Sequence, residues 1–566
     1  MARVKALWSP RWRWLTLTVA WVVVAALGFW GLSIGKPGSS IWNRLYALPD
    51  FFSMSIGDDT ANLDWRIQLA RFLGPIAFAS TFYAATAAVL RDQVGRFRIR
   101  FLRDHVIVAG LGEKGSRLAT SLLDAGRKVV VIEPDPTNPE RAGVVRRGAI
   151  ALTGSATDAE VLREAGIGRA RELVAFAPDA TNAEIVAVAR RARTGGGPAL
   201  RASLHLVDPQ LSRLLRTREL SAGTLSVRLD FFNIFQRGAR RWLAETDPFA
   251  RRGTINRPPH VVVLGVGVLG EAVAVAVAQR WAEERGPGDG PVRLTLVDPD
   301  ASARYRGLRL RHPALVAHTR AEAIDLDPDR PVPDAAESFR SLLAEGSVTA
   351  AYVCDDDDTS ALSTALFVRH GLGSTPALVT VRTRSAAGLA DLLDGTADEG
   401  IVGFPLLDRT CSAAALDGGT NEAVARALHD DYLAQVDPAG APNAVAWDRL
   451  DPDVQEANRR TADGVVAALA SVGCGLVPLY AWDGAGFAFT DDEVERLAEA
   501  EHARWSEERR AAGWTHGEPR DDRAKRHPLL VAWPDLPDPA KHQNRQAITA
   551  LPTVLARAGF EIIRLR

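Results

Sequence analysis

The chain has 566 residues, 47% of them apolar, which is enough for several packed domains. Its 68 basic and 69 acidic side chains nearly cancel, so global charge argues for neither a nucleic-acid partner nor an acidic substrate. Cys354, Cys411 and Cys474 lie far apart, which excludes a disulfide framework and a C-x-x-C metal pair and leaves reduced thiols in a cytosolic body as the plain reading.

In chain order, the membrane signals come first. Trp14 to Ile34 is an uncharged apolar run. At about 1.5 Å per residue, a helix of that length crosses a hydrocarbon core of about 30 Å. It is too long for the apolar part of a signal peptide, and no A-x-A cleavage site follows. Phe72 to Leu90 is a second uncharged run, just long enough to span. Arg3, Lys5, Arg11 and Arg13 precede the first run; Arg91, Arg96, Arg98, Arg100 and Arg103 follow the second. Between them, Asp50, Asp58, Asp59 and Asp64 balance Lys36, Arg44, Arg66 and Arg71. The positive-inside rule then puts both termini in the cytoplasm, as in a multi-pass plasma-membrane protein. A signal anchor followed by a buried helix is the alternative. The membrane domain is expected over 1–104, with a pore-like loop at 40–60.

Next comes His105 to Glu133, HVIVAGLGEKGSRLATSLLDAGRKVVVIE. An apolar strand runs into G-x-G-x-x-G, then a helix, then a second strand, which is the context that makes this motif informative. Gly110 allows the tight turn, Gly112 lets backbone approach a pyrophosphate, and Gly115 lets helix and strand pack closely. Lys114 lies in the same loop. Glu133 ends the second strand, where a carboxylate can take both ribose hydroxyls, which favours a free 2′-OH over a 2′-phosphate. The pattern repeats from His260 to Asp298, with Gly265, Gly267, Gly270 and Asp298 in the matching places. Rossmann units are therefore expected over 105–250 and 255–425. NAD or an adenine nucleotide (ATP or ADP) is expected in the first, and the cofactor of the second is left open. An empty fold that keeps its glycines for packing is the alternative for both.

Residues 14 to 425 resemble potassium channels that carry regulator-of-conductance (RCK, or TrkA-N) domains. Ser53, Met54, Ser55, Ile56, Gly57 and Asp58 follow the outline of the filter T-V-G-Y-G-D, with Ser55 and Ile56 departing from it. Gly154 to Phe176 is similar to the family's G-D-A-T-x-x-x-x-L-x-x-A-G-I segment, with Ser155 for the aspartate. Asp179 and Asn182 fall in a turn that resembles its D-D-x-x-N. The resemblance implies nucleotide binding, a bilayer and a monovalent cation as partners, and a homo-oligomer, with a tetramer as the expectation. In the second unit, Asp355 to Asp358 occupies the corresponding strand end, as a solvated loop or a cation site.

The last region repeats itself. Trp447, Leu450, Asn458, Arg459, Leu469 and Gly473 recur at Trp533, Leu536, Asn544, Arg545, Leu555 and Gly559 at one constant offset. His429-Asp-Asp-Tyr432 is echoed by His502-Ala-Arg-Trp505, and the second copy carries extra residues within Gly513 to Leu530. The full copy, 485–566, resembles the ryanodine-receptor repeat (RyR) domain, and 426–480 a reduced relative. A ligand-sensing role follows from that resemblance. Trp505, Trp514 and Trp533 offer aromatic faces, Arg520 can meet phosphate, and His502 and Asn544 can hydrogen-bond ring edges. The competing reading makes these residues the module's own core and caps.

The expected architecture is thus an α-helical membrane part with two spans and a pore-like loop, then tandem α/β Rossmann-like domains, then a small, mainly helical RyR-type module. The leading function is a ligand-gated potassium or cation channel, and the alternative is a non-conducting nucleotide sensor that recruits a partner protein. An enzyme is not expected: no acid–base or nucleophile constellation follows either glycine loop, and the 11 histidines are scattered.

Overall fold

The computed structural model describes residues 10–35, 38–53, 64–193, 199–221, 227–250, 258–286, 288–327, 333–386, 400–417, 419–435, 444–479, 486–521 and 523–565. Met54, Ser55, Ile56, Gly57 and Asp58 lie outside them. Two units separate, Met1–Phe101 and Leu102–Arg566.

Helices Pro10–Gly35 and Trp65–Ile99 dominate the N-terminal unit. Thr16–Ile34 within the first has a mean hydropathy of 2.0 and is only 17% buried. Among the described residues it is the one helix that meets the length and apolarity needed to cross a membrane. The second expected span, Phe72 to Leu90, lies inside the helix Trp65–Ile99, where Phe72, Ile76, Phe82 and Tyr83 are exposed; the side chains of residues 84–94 are outside the description. The two long helices approach closely at Gly31, where a Cβ would overlap the Ile67 side chain, and Phe51 of the short helix Asp50–Ser53 packs on a glycine of each. A Cβ on Gly74 would overlap the Phe51 carbonyl, and one on Gly28 would come within 2.9 Å of the Phe51 ring. Pro49 falls between the short helices Ile41–Tyr46 and Asp50–Ser53, so it interrupts neither. Ser53 ends the second of them.

The second unit begins with six parallel strands: β1 (Val106–Ala109), β2 (Val129–Glu133), β3 (Ile150–Thr153), β4 (Glu172–Ala175), β5 (Leu200–His205) and β6 (Val227–Phe232). Their order is β3-β2-β1-β4-β5-β6, with Val108 opposite Val131 on one side and Val174 on the other. Helices cover both faces, which is why the central strands are unbroken apolar runs. A second sheet repeats the plan with β7 (His260–Leu264), β8 (Val292–Asp298), β9 (Thr319–Asp325), β10 (Ala350–Val353), β11 (Leu378–Thr383) and β12 (Ile401–Pro405), ordered β12-β11-β10-β7-β8-β9. Both are doubly wound sheets whose strand order reverses beside the first strand, as the tandem Rossmann expectation required.

The two Rossmann units exchange their last helices. Helix Ile234–Thr246 follows β6, yet Ala239, Trp242 and Leu243 are buried in the core of the second unit. Trp242 stacks on Phe404 at 4.8 Å and donates to Thr380 Oγ1 at 2.8 Å. In return, Leu407, Cys411, Ala413 and Leu416, which follow β12, complete the core of the first. A Cβ on Gly238 would overlap Leu406, so a glycine there permits the crossing.

The C-terminal copies also share one core. Val424, Trp447, Ala462 and Leu469 of the first pack with Leu551, Leu555, Phe560 and Ile562 of the second. Strand Cys474–Pro478 pairs antiparallel with Phe560–Arg564. Helix Thr420–Gln435, which runs across residue 426, contributes the buried Val424 and Ala425 to this core. The pair docks on the first Rossmann unit: Arg216 donates to Leu476 O at 3.1 Å, and Arg213 pairs with Glu561.

Candidate nucleotide and ligand sites

Each glycine loop leaves its sheet at the point where the strand order reverses, and its glycines have different reasons to be there. Gly110 (φ +90°) and Gly265 (φ +79°) adopt the left-handed turn conformation that side chains disfavour. Cβ atoms on Gly115 and Gly270 would overlap the carbonyls of Gly110 and Gly265. These four are required by the fold. Gly112 and Gly267 are not: their φ values are −69° and −72°, and a Cβ on either would meet nothing within 4 Å. They cap helices Glu113–Asp124 and Val268–Glu284 without a side-chain acceptor. Open space therefore faces first-turn N–H groups that suit a phosphate.

The acid at the end of the second strand separates the two loops. Glu133 is buried; its Oε2 accepts from Leu111 N at 2.7 Å and its Oε1 from Asp135 N at 3.1 Å. A carboxylate has about four lone-pair sites, so both oxygens keep capacity for a ribose diol. Asn138 braces the same loop through Leu111 O at 3.2 Å. In the second unit, Asp298 accepts from Val266 N at 2.8 Å, Asp300 N at 3.0 Å and Arg304 Nε at 2.9 Å. Arg304 also donates to Val266 O at 3.1 Å, so a guanidinium covers the acid. Asp355 crowds Gly265: its Oδ1 would lie 2.8 Å from a Cβ there. Burial first, and then Asp298, Asp356 and Asp357, hold the Asp355 carboxyl above its usual range. A pyrophosphate at this loop would meet negative charge, whereas Gly110 in the first loop is bordered by the Phe176–Ala177 backbone. The first loop thus keeps open space beside an acid with spare acceptor capacity, whereas in the second Arg304 and Asp355 crowd the corresponding place.

Three other expected residues make contacts within the chain. Asn182 is fully buried, accepting from Ala177 N at 3.0 Å and donating to Ala177 O and His205 O at 2.7 and 2.8 Å. Asp179 accepts from Val207 N and Asp208 N at 2.9 and 2.7 Å. The Lys114 ammonium lies 4.9 Å over the Phe235 ring at the junction of the two units, where burial lowers its pKa.

The repeated C-terminal positions form the same contacts twice. Trp533 Nε1 donates to Glu495 at 3.0 Å, and Arg545 pairs with that carboxylate at 2.6 Å. Trp447 and Arg459 engage Glu422 in the same way. His502 and His429 bond to the carbonyls of Val531 and Val445 at 3.0 and 2.8 Å. Asn544 and Asn458 donate to the carbonyl one turn back at 2.8 and 2.9 Å. Each of these side chains thus has a hydrogen-bond partner within its own copy. The second copy adds an aromatic cluster beside them: the Trp505 and Trp514 rings lie 5.0 and 6.2 Å from His527, and Arg509 is 5.0 Å over Trp514. Arg520 is exposed on the same added arm. Sequence reading missed Arg304, Asn138, Arg509 and His527, for which no spacing pointed the way. It also missed Glu422 and Glu495, although they repeat at the same offset as His429 and His502.

Comparisons with known proteins agree at the level of domains. The TrkA-N domain model matches residues 106–207, and the RyR domain model matches residues 489–564. Over 66 residues the chain is 42% identical to the Trk system potassium uptake protein TrkA of Streptomyces coelicolor, a stretch that is 12% of this chain and 29% of that protein. The chain thus spans under a third of that relative's length. Among solved structures, a GsuK channel bound to NAD is similar at 14% identity and a TM-score of 0.38, over 71% of this chain and 82% of that one. The TrkA-N domain of the inner membrane protein ybaL from Escherichia coli is similar at 24% identity and a TM-score of 0.21, over 26% of this chain and 98% of that one. TM-scores of that size do not establish a shared arrangement. The TrkA-N and RyR resemblances are borne out over residues 106–207 and 489–564.

Proposed function

We propose that this chain is a membrane-anchored, nucleotide-responsive regulator of potassium transport, and more finely a two-span, ligand-gated potassium or cation channel of the plasma membrane that assembles as a homotetramer. The observation that carries the reading is the first glycine loop: Gly112 faces open space that the fold does not need, beside a Glu133 carboxylate with spare acceptor capacity, inside the TrkA-N match. The relative named as a potassium uptake protein, the apolar helix Thr16–Ile34 and the exposed aromatic residues of the helix Trp65–Ile99 support the membrane and potassium parts. NAD or an adenine nucleotide in the first unit would favour one arrangement of the cytoplasmic body, and the ligand of the RyR module would bias the same equilibrium. The protein acts as a regulator and not as an enzyme.

The second reading, a non-conducting sensor that recruits a partner, is favoured by Ser55 and Ile56 at positions where a potassium filter has glycine and tyrosine. Cation flux through purified protein in liposomes, for potassium and sodium with and without NAD, ATP and ADP, separates the two. Nucleotide-dependent flux is the expected result. Absent flux from folded, nucleotide-bound protein would leave the recruiting sensor, and absent nucleotide binding would remove both.

A further inference from the structure

A cleft of about 1110 Å³ opens between helix Ile234–Thr246, Arg409, helix Thr420–Gln435 and the turn Arg557–Phe560. It thus touches the first Rossmann unit, the exchanged end of the second and both C-terminal copies, and it lies apart from the residues of either glycine loop. Arginines line it, and most are matched. Arg241 and Arg409 share Glu245 at 2.8 and 3.3 Å, Arg459 has Glu422, and Arg557 has Asp431 at 3.7 Å.

Arg237 and Arg240 are the exceptions. They stand one turn apart on helix Ile234–Thr246, and among the described residues neither has a carboxylate within ion-pairing distance. Arg237 lies 5.4 Å over the Phe232 ring, and one of its terminal nitrogens is buried without a partner. Arg240 makes one long bond, to Ala558 O at 3.5 Å. A Cβ on Gly559 would overlap the Arg240 guanidinium, so a glycine at that turn (φ +86°) lets the C-terminal module close over it. Burial lowers the pKa of both groups, that of Arg240 to about 10, with Asp230 and Glu283 only partly opposing. Two like charges held out of water at one-turn spacing are unfavourable without a counter-charge. The planar guanidinium fork matches phosphate oxygens in pairs.

We propose that this cleft is a second ligand site, in which Arg237 and Arg240 bind a pyrophosphate group, free or as part of a phosphorylated small molecule, and that its occupancy ties the C-terminal module to the Rossmann pair. The inference does not rest on the glycine-loop assignment. The test is calorimetric titration of inorganic pyrophosphate into the purified full chain and its variants. Arg237→Gln and Arg240→Gln are expected to weaken binding at least tenfold, while Arg241→Gln, whose arginine already has Glu245, leaves it unchanged. Hydrogen exchange on the unmodified chain, which needs no variant to fold, should show added protection at 234–246 and 557–560 when pyrophosphate is present. Absence of pyrophosphate binding, binding lost only in Gly112→Val, or protection confined to 110–116 would each overturn the proposal. Comparing pyrophosphate with ADP then tells a free anion from a nucleotide.

Discussion

At the scale of single residues, six glycines that look equivalent in sequence divide into two kinds. Gly115 and Gly270 exist because a carbonyl occupies the place of a side chain, while Gly112 and Gly267 keep a space that the protein does not fill. Gly115→Ala should therefore destabilise the first Rossmann unit by about 3 kcal/mol. Gly112→Val should leave the thermal transition nearly unchanged while nucleotide binding is lost. Melting curves read beside calorimetry test both, and unchanged affinity in Gly112→Val would remove the site. Glu133→Ala should weaken binding while Asp298→Ala does not, because Arg304 already covers Asp298.

Two buried histidines make a separate prediction. Burial pushes His205 down to about 3 and His260 down to about 4, both below the unfolded value of about 6.5. On acidification the unfolded chain takes up protons first, so the contribution is complete above about pH 6.5 and is lost as pH falls towards 4. Each histidine should remove about 1.4 kcal/mol of stability per pH unit in that window. Melting the full chain between pH 7 and 4 should show this, with a shallower slope in His205→Phe.

At the scale of elements, the duplicated C-terminal region folds as one body, because neither copy closes a core alone. Leu555 is fully buried among residues of both copies. Leu555→Ala should cost about 2–5 kcal/mol and expose helix Pro452–Ser471 of the first copy together with its own. Hydrogen exchange restricted to the second copy would contradict the shared core. Trp514 sits half-buried on the added arm, so Trp514→Ala should keep this cooperative transition and reduce only the response to ligand.

At the scale of the whole molecule, the exchanged helices make the two Rossmann units depend on one another. Trp242 belongs by sequence to the first unit and by contact to the second. Trp242→Ala should cost about 3–5 kcal/mol, with loss of exchange protection in β7 and β10. Protection lost only in β1 to β6 would mean that the exchange carries no stability.

How much of this was legible follows from the range of each interaction. The strand–glycine–helix pattern, the period of the apolar strands and the repeated tryptophans are local or in register along the chain, so composition and spacing by themselves determined two doubly wound sheets, two glycine loops and a duplicated C-terminal region. Which glycine guards space, why Arg304 closes the second acid, and that Asn182 and Asn544 brace backbone were not legible, since each depends on atoms far away in sequence or on a side-chain direction. The exchange of Trp242 for Leu407 and the meeting of Arg237 and Arg240 with the Gly559 turn were decided only by tertiary structure. They arise where apolar faces and charges from distant segments must share one desolvated space, and no local periodicity encodes that sharing.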